Sequence, residues 1–227
     1  MTRSLPARRW TNAQRGGALI SLPRQVARLS SEQRRDAIVD AALSVARRKG
    51  LAVTTVRDVA AEMGTSSGLV HHYFDSMDEV LAEAFARAAR VDLTLVSRAV
   101  EDAAGPTDAM SAFFNSYALA ENDWTFQLWL DAWSEASRRP ALRATSTELN
   151  VAWQELVEGI IVTGVDRGEF FCTDPGATAW RIISLLDGLV LQVVAHRTVL
   201  DRTIMLDWAR QRTELELGLD SGALQGL

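Results

Sequence analysis

Residues 55–74 read TVRDVAAEMGTSSGLVHHYF, and here side-chain types and spacing first suggest chemistry. Thr65, Ser66 and Ser67 place small hydroxyls and free backbone N–H groups at the start of a short helix, an arrangement that holds phosphate oxygens. Gly68 removes a side chain where backbone must approach a partner closely. Val70 and Phe74 fall on an apolar face. That leaves His71, His72 and Tyr73 outside, able to donate to phosphates or to base edges. A short helix precedes this one, opened by Thr55 as a cap, and Gly64 permits the sharp turn between the two. The spacing is that of a helix-turn-helix, in which the second helix enters the major groove of DNA. Spacing alone leaves open an ordinary helical hairpin with normal caps.

A second set of residues lies in the body of the chain. Trp129 and Trp133 are four apart and share a helix face, Phe126 extends the same stripe, and Phe114 and Tyr117 are three apart. With Trp124, Trp153 and Trp180 these belong to a chain that holds seven tryptophans. Such stripes build cores, and they also wall pockets that bind small molecules. Asn115, Gln127, Asp131, Asp187 and Gln192 are the polar groups available to such a pocket. Aromatic faces beside a carboxylate suit a cation such as a quaternary ammonium. The expected ligand-binding set is Phe114, Tyr117, Trp124, Trp129, Trp133, Trp153 and Asp187.

Other chemistries find little support. Adjacent His71 and His72 point about 100° apart on a helix and do not readily share an ion. His196 and Cys172 stand far off in sequence without ligand spacing. No paired carboxylates, nucleophile with a base, or phosphate loop suggests an enzyme. Neither a metal nor a cofactor is expected.

These residues need elements to position them. The chain has 227 residues, 48% hydrophobic and 23% charged, and a net charge of −5. That composition is globular rather than disordered. Residues 1–57 carry 12 basic and 3 acidic groups, whereas residues 58–227 carry 12 and 26. A basic front on an acidic body fits one part that meets a polyanion and one that does not. Residues 1–30, with six Arg and no acid, read as a flexible basic arm. Arg8-Arg9 is followed only by a short apolar stretch at 18–22, too short for a signal core, and no uninterrupted apolar run reaches about 18 residues. A cytoplasmic protein without a membrane span is expected.

Helical periodicity begins after the arm. Ser30 with Gln33 has capping-box spacing, and Arg47-Arg48-Lys49 before Gly50 is a helix stop, which accounts for most of that basic triplet. Ser76 with Glu79 opens a long helix over 77–103, and Gly105-Pro106 breaks it. Five further helices are predicted, at about 107–120, 123–137, 141–166, 175–196 and 201–216. No strand of period two is found. The fold class is therefore all-α with about nine helices. It comprises the arm (1–30), a three-helix head (31–76) and a helical body (77–220). Helix 175–196 is apolar nearly all round and needs cover on two sides, for which a second subunit is the simplest source. Ile182, Leu186, Leu189, Val190, Val193, Ile204 and Trp208 are the expected dimer interface.

The stretch 34–85 resembles the DNA-binding domain of the TetR family of transcriptional regulators. The residues that carry the likeness are Ala41-Ala42, Gly50, the run from Thr54 to Ala60, Met63-Gly64-Thr65-Ser66-Ser67-Gly68, and Tyr73-Phe74. The Ser-Gly-Leu-Val-His-His-Tyr-Phe run is similar to the choline-responsive, BetI-like branch. Gly164 to Phe170 and Leu186-Asp187-Gly188-Leu189 resemble that branch's ligand-binding domain. The resemblance implies that Thr55 and Arg57 touch the phosphate backbone and that Tyr73 binds a phosphate. It implies that Ser66, Ser67, Gly68 and His71, beside Thr65, present to the major groove. Met77 stands where the family often has a phosphate-binding lysine, and the arm is then a candidate to replace that contact.

The expected function is a dimeric, ligand-responsive regulator, most simply a repressor, bound to a palindromic DNA operator and released by a small-molecule effector. A ligand-independent DNA-binding or assembly protein, whose body only dimerises, stays open as the alternative.

Overall fold

In the computed structural model, residues 30–118, 123–196 and 200–224 are described, and their regular structure is entirely helical. The basic arm lies outside the described residues except for Ser30. The helices are α1 (Ser31–Lys49), α2 (Val56–Glu62), α3 (Ser67–Tyr73), α4 (Met77–Glu101), α5 (Pro106–Asn115), α6 (Asp123–Glu135), α7 (Pro140–Asp166), α8 (Pro175–Val190) and α9 (Arg202–Leu217). A π-helical turn, Leu191–Ala195, continues α8.

The starts follow from the side chains. Ser30 and Gln33 form a reciprocal capping box at α1, and Thr55 and Asp58 form another at α2. At α4 only half the expected box is made. Ser76 accepts from the Glu79 N–H, while the Glu79 carboxylate turns back to the N–H of Asp75. Gly64, at φ 64°, makes the tight turn between α2 and α3 in the left-handed region that favours glycine.

Three apolar clusters stack along the molecule. The head cluster joins Ile38 and Ala42 of α1, Val59 of α2, Val70 and Phe74 around α3, and Val80 and Ala84 of α4. The middle cluster joins Ala46, Leu51, Phe85 and Ala89 to Leu128 and Trp129 of α6 and to Leu142 and Leu149 of α7. The body cluster joins α5, α7, α8 and α9 around Phe113, Ile161, Leu186 and Met205. Helix α4 contributes to all three, through Val80, Phe85 and Val96. At about 1.5 Å per residue its 25 residues span roughly 37 Å.

Polar contacts reinforce the middle. The N-terminus of α7 has no cap of its own, and the Asp78 carboxylate of α4 accepts from the N–H groups of Ala141 (2.9 Å) and Leu142 (3.3 Å). A carboxylate there complements the positive end of the helix dipole. On the other side Asp131 of α6 accepts the Leu51 N–H at 2.6 Å, and Arg47 of α1 lies 4.5 Å over the Trp124 ring.

The structure corrects part of the expected dimer interface. Ile182, Leu186 and Val190 are at most 4% exposed and pack into the subunit's own core, so they are out of a partner's reach. Leu189 and Val193 are half-buried against the same core. The outer side of α8 instead shows Trp180, Ser184 and Gly188, and α9 shows Ile204, Trp208 and Leu215. The segment Pro175–Ala195 has the length and hydropathy of a membrane-spanning helix, although no uninterrupted apolar run there reaches about 18 residues. Its Ile182, Ile183, Leu186 and Val190 fill this core.

Gly164 fits because it lacks a side chain. A Cβ there would lie 2.1 Å from the Phe170 ring, whose own burial closes the body below α7. Gly164→Ala should therefore cost about 1–3 kcal/mol through overpacking. A thermal melt would show this as a lowered Tm, and an unchanged Tm would contradict the packing described.

Candidate nucleic-acid interface and ligand cavity

The head presents its expected residues on one short stretch. Thr55, Arg57, Ser66, Gly68 and His71 are exposed, while Thr65, Ser67 and Tyr73 are half-buried. Val70 and Phe74 anchor α3 from beneath, at 2% and 3% exposure, which forces the intervening His71 and His72 outward. Ser66 occupies the N-cap position of α3, but its hydroxyl makes no cap bond. The Thr55 hydroxyl is engaged by Asp58, accepting its N–H at 3.3 Å and donating to its carboxylate at 2.5 Å.

The basic triplet is consumed structurally. Arg48 pairs with Glu62 at 2.6 Å, Lys49 pairs with Asp58 at 2.6 Å, and Arg47 covers Trp124. The Lys49 ammonium and then Thr55 hold the Asp58 carboxyl down at about 2. Arg57 is thus the basic side chain of α2 that faces solvent.

Arg35 was not anticipated. Its guanidinium lies 4.0 Å over the Phe74 ring, donates to the Tyr73 carbonyl at 2.7 Å, and pairs with Glu79 and Glu83 of α4. It clamps the end of α3 to α1 and α4. The acids at 79 and 83, four apart on one face of α4, are the signal that marks its partners. Met77 is half-buried where the head and middle clusters meet, so it fills an apolar seam rather than facing a phosphate. Among the described residues no three His, Cys, Asp or Glu side chains are grouped to hold a metal ion.

In the body, a cavity of about 490 Å³ opens between α4, α5, α6, α7 and α8. That volume lies within the usual range for small-molecule sites. Five of the expected ligand residues line it: Tyr117, Trp129, Trp133, Trp153 and Asp187. Two do not. Phe114 is fully buried beside Phe113, and Trp124 is turned toward Arg47. Asp131 and Gln127 are bonded to each other at 3.1 Å, and Asp131 is also committed to Leu51, so neither supplies a polar lining. Asn115 does line the cavity.

Sequence reasoning missed Asp92, Thr125 and Asn150, which also line it. Asp92 falls four residues after Ala88 and four before Val96, both buried, and an acid on a buried stripe was the available signal. The walls are aromatic. Tyr117 stacks on Phe126 at 5.3 Å, and Trp129 meets both Phe85 of α4 (4.8 Å) and Trp133 (5.5 Å). Burial pushes the Asp187 carboxyl up to about 7. Burial also raises Asp92, with the Thr125 hydroxyl beside it acting in the opposite sense. The Tyr117 phenol is raised by burial, then by the negative charge of Asp187 and of Asp92. No Lys, Arg or His is among the described residues that line the cavity.

Comparison with known proteins agrees with this geometry. Residues 38–84 match the family described as "Bacterial regulatory proteins, tetR family", and residues 106–218 match "BetI-type transcriptional repressor, C-terminal". The chain is 32% identical over 161 residues to the HTH-type transcriptional regulator BetI of Rhizobium meliloti, covering 70% of this chain and 77% of that one. A transcriptional regulator from Pseudomonas aeruginosa PAO1 shares the fold with a TM-score of 0.71 at 26% identity, over 87% of this chain and 95% of that one. Another, from Saccharomonospora viridis in complex with choline, has a TM-score of 0.71 at 24% identity, over 83% and 98%.

The raised Asp187 carboxyl has a consequence for stability. Below its ordinary value of 3.8 it is protonated both folded and unfolded; between 3.8 and about 7 the folded state alone retains the proton. Stability therefore falls as pH rises across that window, and the burial penalty is fully present above it. Asp187→Asn should flatten this part of the profile and raise Tm at pH 8 more than at pH 5. Equal gains at both would contradict the assigned cause.

Proposed function

Because the chain belongs to the TetR family of transcriptional regulators and carries a BetI-type C-terminal domain, we propose that it is a dimeric cytoplasmic repressor released from its operator by a small organic cation. Helix α3 of each subunit reads one half-site in the major groove. Two copies related by a dyad then fit a palindrome whose half-sites lie about one helical turn, roughly 34–36 Å, apart. Arg57, Thr55 and Tyr73 position the head on phosphates, and Ser66, Ser67, Gly68 and His71 face base edges. The subunits meet through α8 and α9, with Trp180, Ile204 and Trp208 supplying apolar area and Ser184 and Gly188 permitting close approach. The Trp180, Ile204 and Trp208 side chains are 39%, 37% and 54% exposed in the single subunit, which supports an unmet partner face.

The observation that carries the reading is the sharing of α4. One helix holds Val80 and Ala84 in the head, Phe85 against the cavity wall at Trp129, and Asp92 in the cavity itself. A ligand acts only through its different affinity for two arrangements, and a cation drawn to Asp92 and Asp187 favours the one that surrounds it best. The tilt of α4 then changes the separation of the two reading helices. A built cavity with buried carboxylates favours this over a body that only dimerises.

Operator binding tests the reading, with DNA flanking the protein's own gene, a scrambled competitor and a salt titration. Arg57→Ala and Tyr73→Ala should weaken binding to all sequences alike, by about 1 kcal/mol or more each, whereas His71→Ala should change which operator is preferred. Loss confined to the preferred operator in Arg57→Ala would reverse the assignment. Trp208→Glu should yield monomers in sedimentation, and a surviving dimer would remove α9 from the interface.

A further inference from the structure

We infer that the effector carries two cationic centres, one held by Asp187 of α8 and the other by Asp92 of α4. This rests on the cavity being the effector site, and it narrows the ligand from an organic cation to a dication such as a diamine or a bis-quaternary ammonium.

The cavity holds two carboxylates and, among its described lining residues, no cation to balance them. The two enter from different walls. Helices α4 and α8 each pack on α7 but share no substantial packing with one another. Burial is the largest influence on both, and Asp92 also has the Thr125 hydroxyl beside it. A ligand with one charge satisfies one wall and leaves the other carboxylate desolvated and unpaired, which is costly. A ligand with two charges neutralises both.

A third group points the same way. Tyr117 is 8% exposed, lines the cavity and feels the charge of both Asp187 and Asp92. Its phenol therefore stands between the two acids, where a ligand that reaches both must pass it. Between the charges, the faces of Phe126, Trp129, Trp133 and Trp153 suit a methylene linker and alkylated ammonium heads. The volume of about 490 Å³ suits a ligand larger than one trimethylammonium group.

Isothermal titration of the 227-residue protein at pH 8 would test this with two probe series. One is α,ω-bis(trimethylammonium) alkanes, and the other is alkyltrimethylammonium ions of matched chain length. The best bis-cation should bind at least about tenfold tighter than its matched mono-cation. Asp92→Asn and Asp187→Asn should each erase that advantage. Both replacements remove a charge that burial disfavours, so a thermal melt should show the variants folded. Equal affinity of the two series, or an advantage that survives Asp92→Asn, would overturn the second centre while leaving the cationic effector intact. Binding of neither series by protein that still binds DNA would overturn both.

Discussion

The packing of α4 constrains everything else in this molecule. Its first turns complete the core of the head, its middle places Phe85 edge-on to Trp129, and its later turns carry Asp92 and Val96 into the body. Each fully buried large side chain contributes about 1.5–3 kcal/mol, so no part of the helix moves freely of its neighbours. Cores are close-packed and respond to strain by shifting between arrangements rather than by deforming smoothly. In the proposed switch, a change at the cavity wall reaches the head as a rigid motion. Asp78 and Asp131 add directional ties on either side, one to the start of α7 and one to the end of α1.

The cavity is built at a cost in stability. Two acids without an opposing cation sit among aromatic rings, and burial alone moves Asp187 to about 7. An interior made only of apolar groups would be more stable and would bind nothing charged. Under the proposed function, a cation that pairs with these acids offsets that cost. In the proposed switch, selectivity and switching share one source: the ligand that neutralises the site is the ligand that stabilises one position of α4. Couplings of this kind typically amount to about 1–3 kcal/mol, enough to alter operator affinity by one or two orders of magnitude.

Much of this was legible in the residues, because local physics determined it. Capping residues at 30, 55 and 76, prolines at 106, 140 and 175, and the glycine turn at 64 mark helix ends through backbone geometry alone. Helix α3 was legible because Val70 and Phe74 leave only one orientation for the side chains between them. The body was harder. Apolar residues all round α8 say that it is covered but not which side faces its own core, and Ile182, Leu186 and Val190 turn to that core. Asp131 looks like a pocket acid from its neighbours Trp129 and Trp133, yet it turns to Leu51, eighty residues away in sequence. Asp92 and Arg35 went unseen for the same reason: their partners come from helices that only the tertiary fold brings close.

The most direct test is the distance between the two α3 helices of the proposed dimer. Spin labels at His72→Cys, in a Cys172→Ser background, report that distance by pulsed electron resonance in the free protein and with the cavity saturated by a bis-cation. The expected result is a shifted, narrowed distribution with the ligand, matched by release of operator DNA at the same concentrations. An identical distribution in the saturated protein, with DNA released all the same, would contradict transmission through α4.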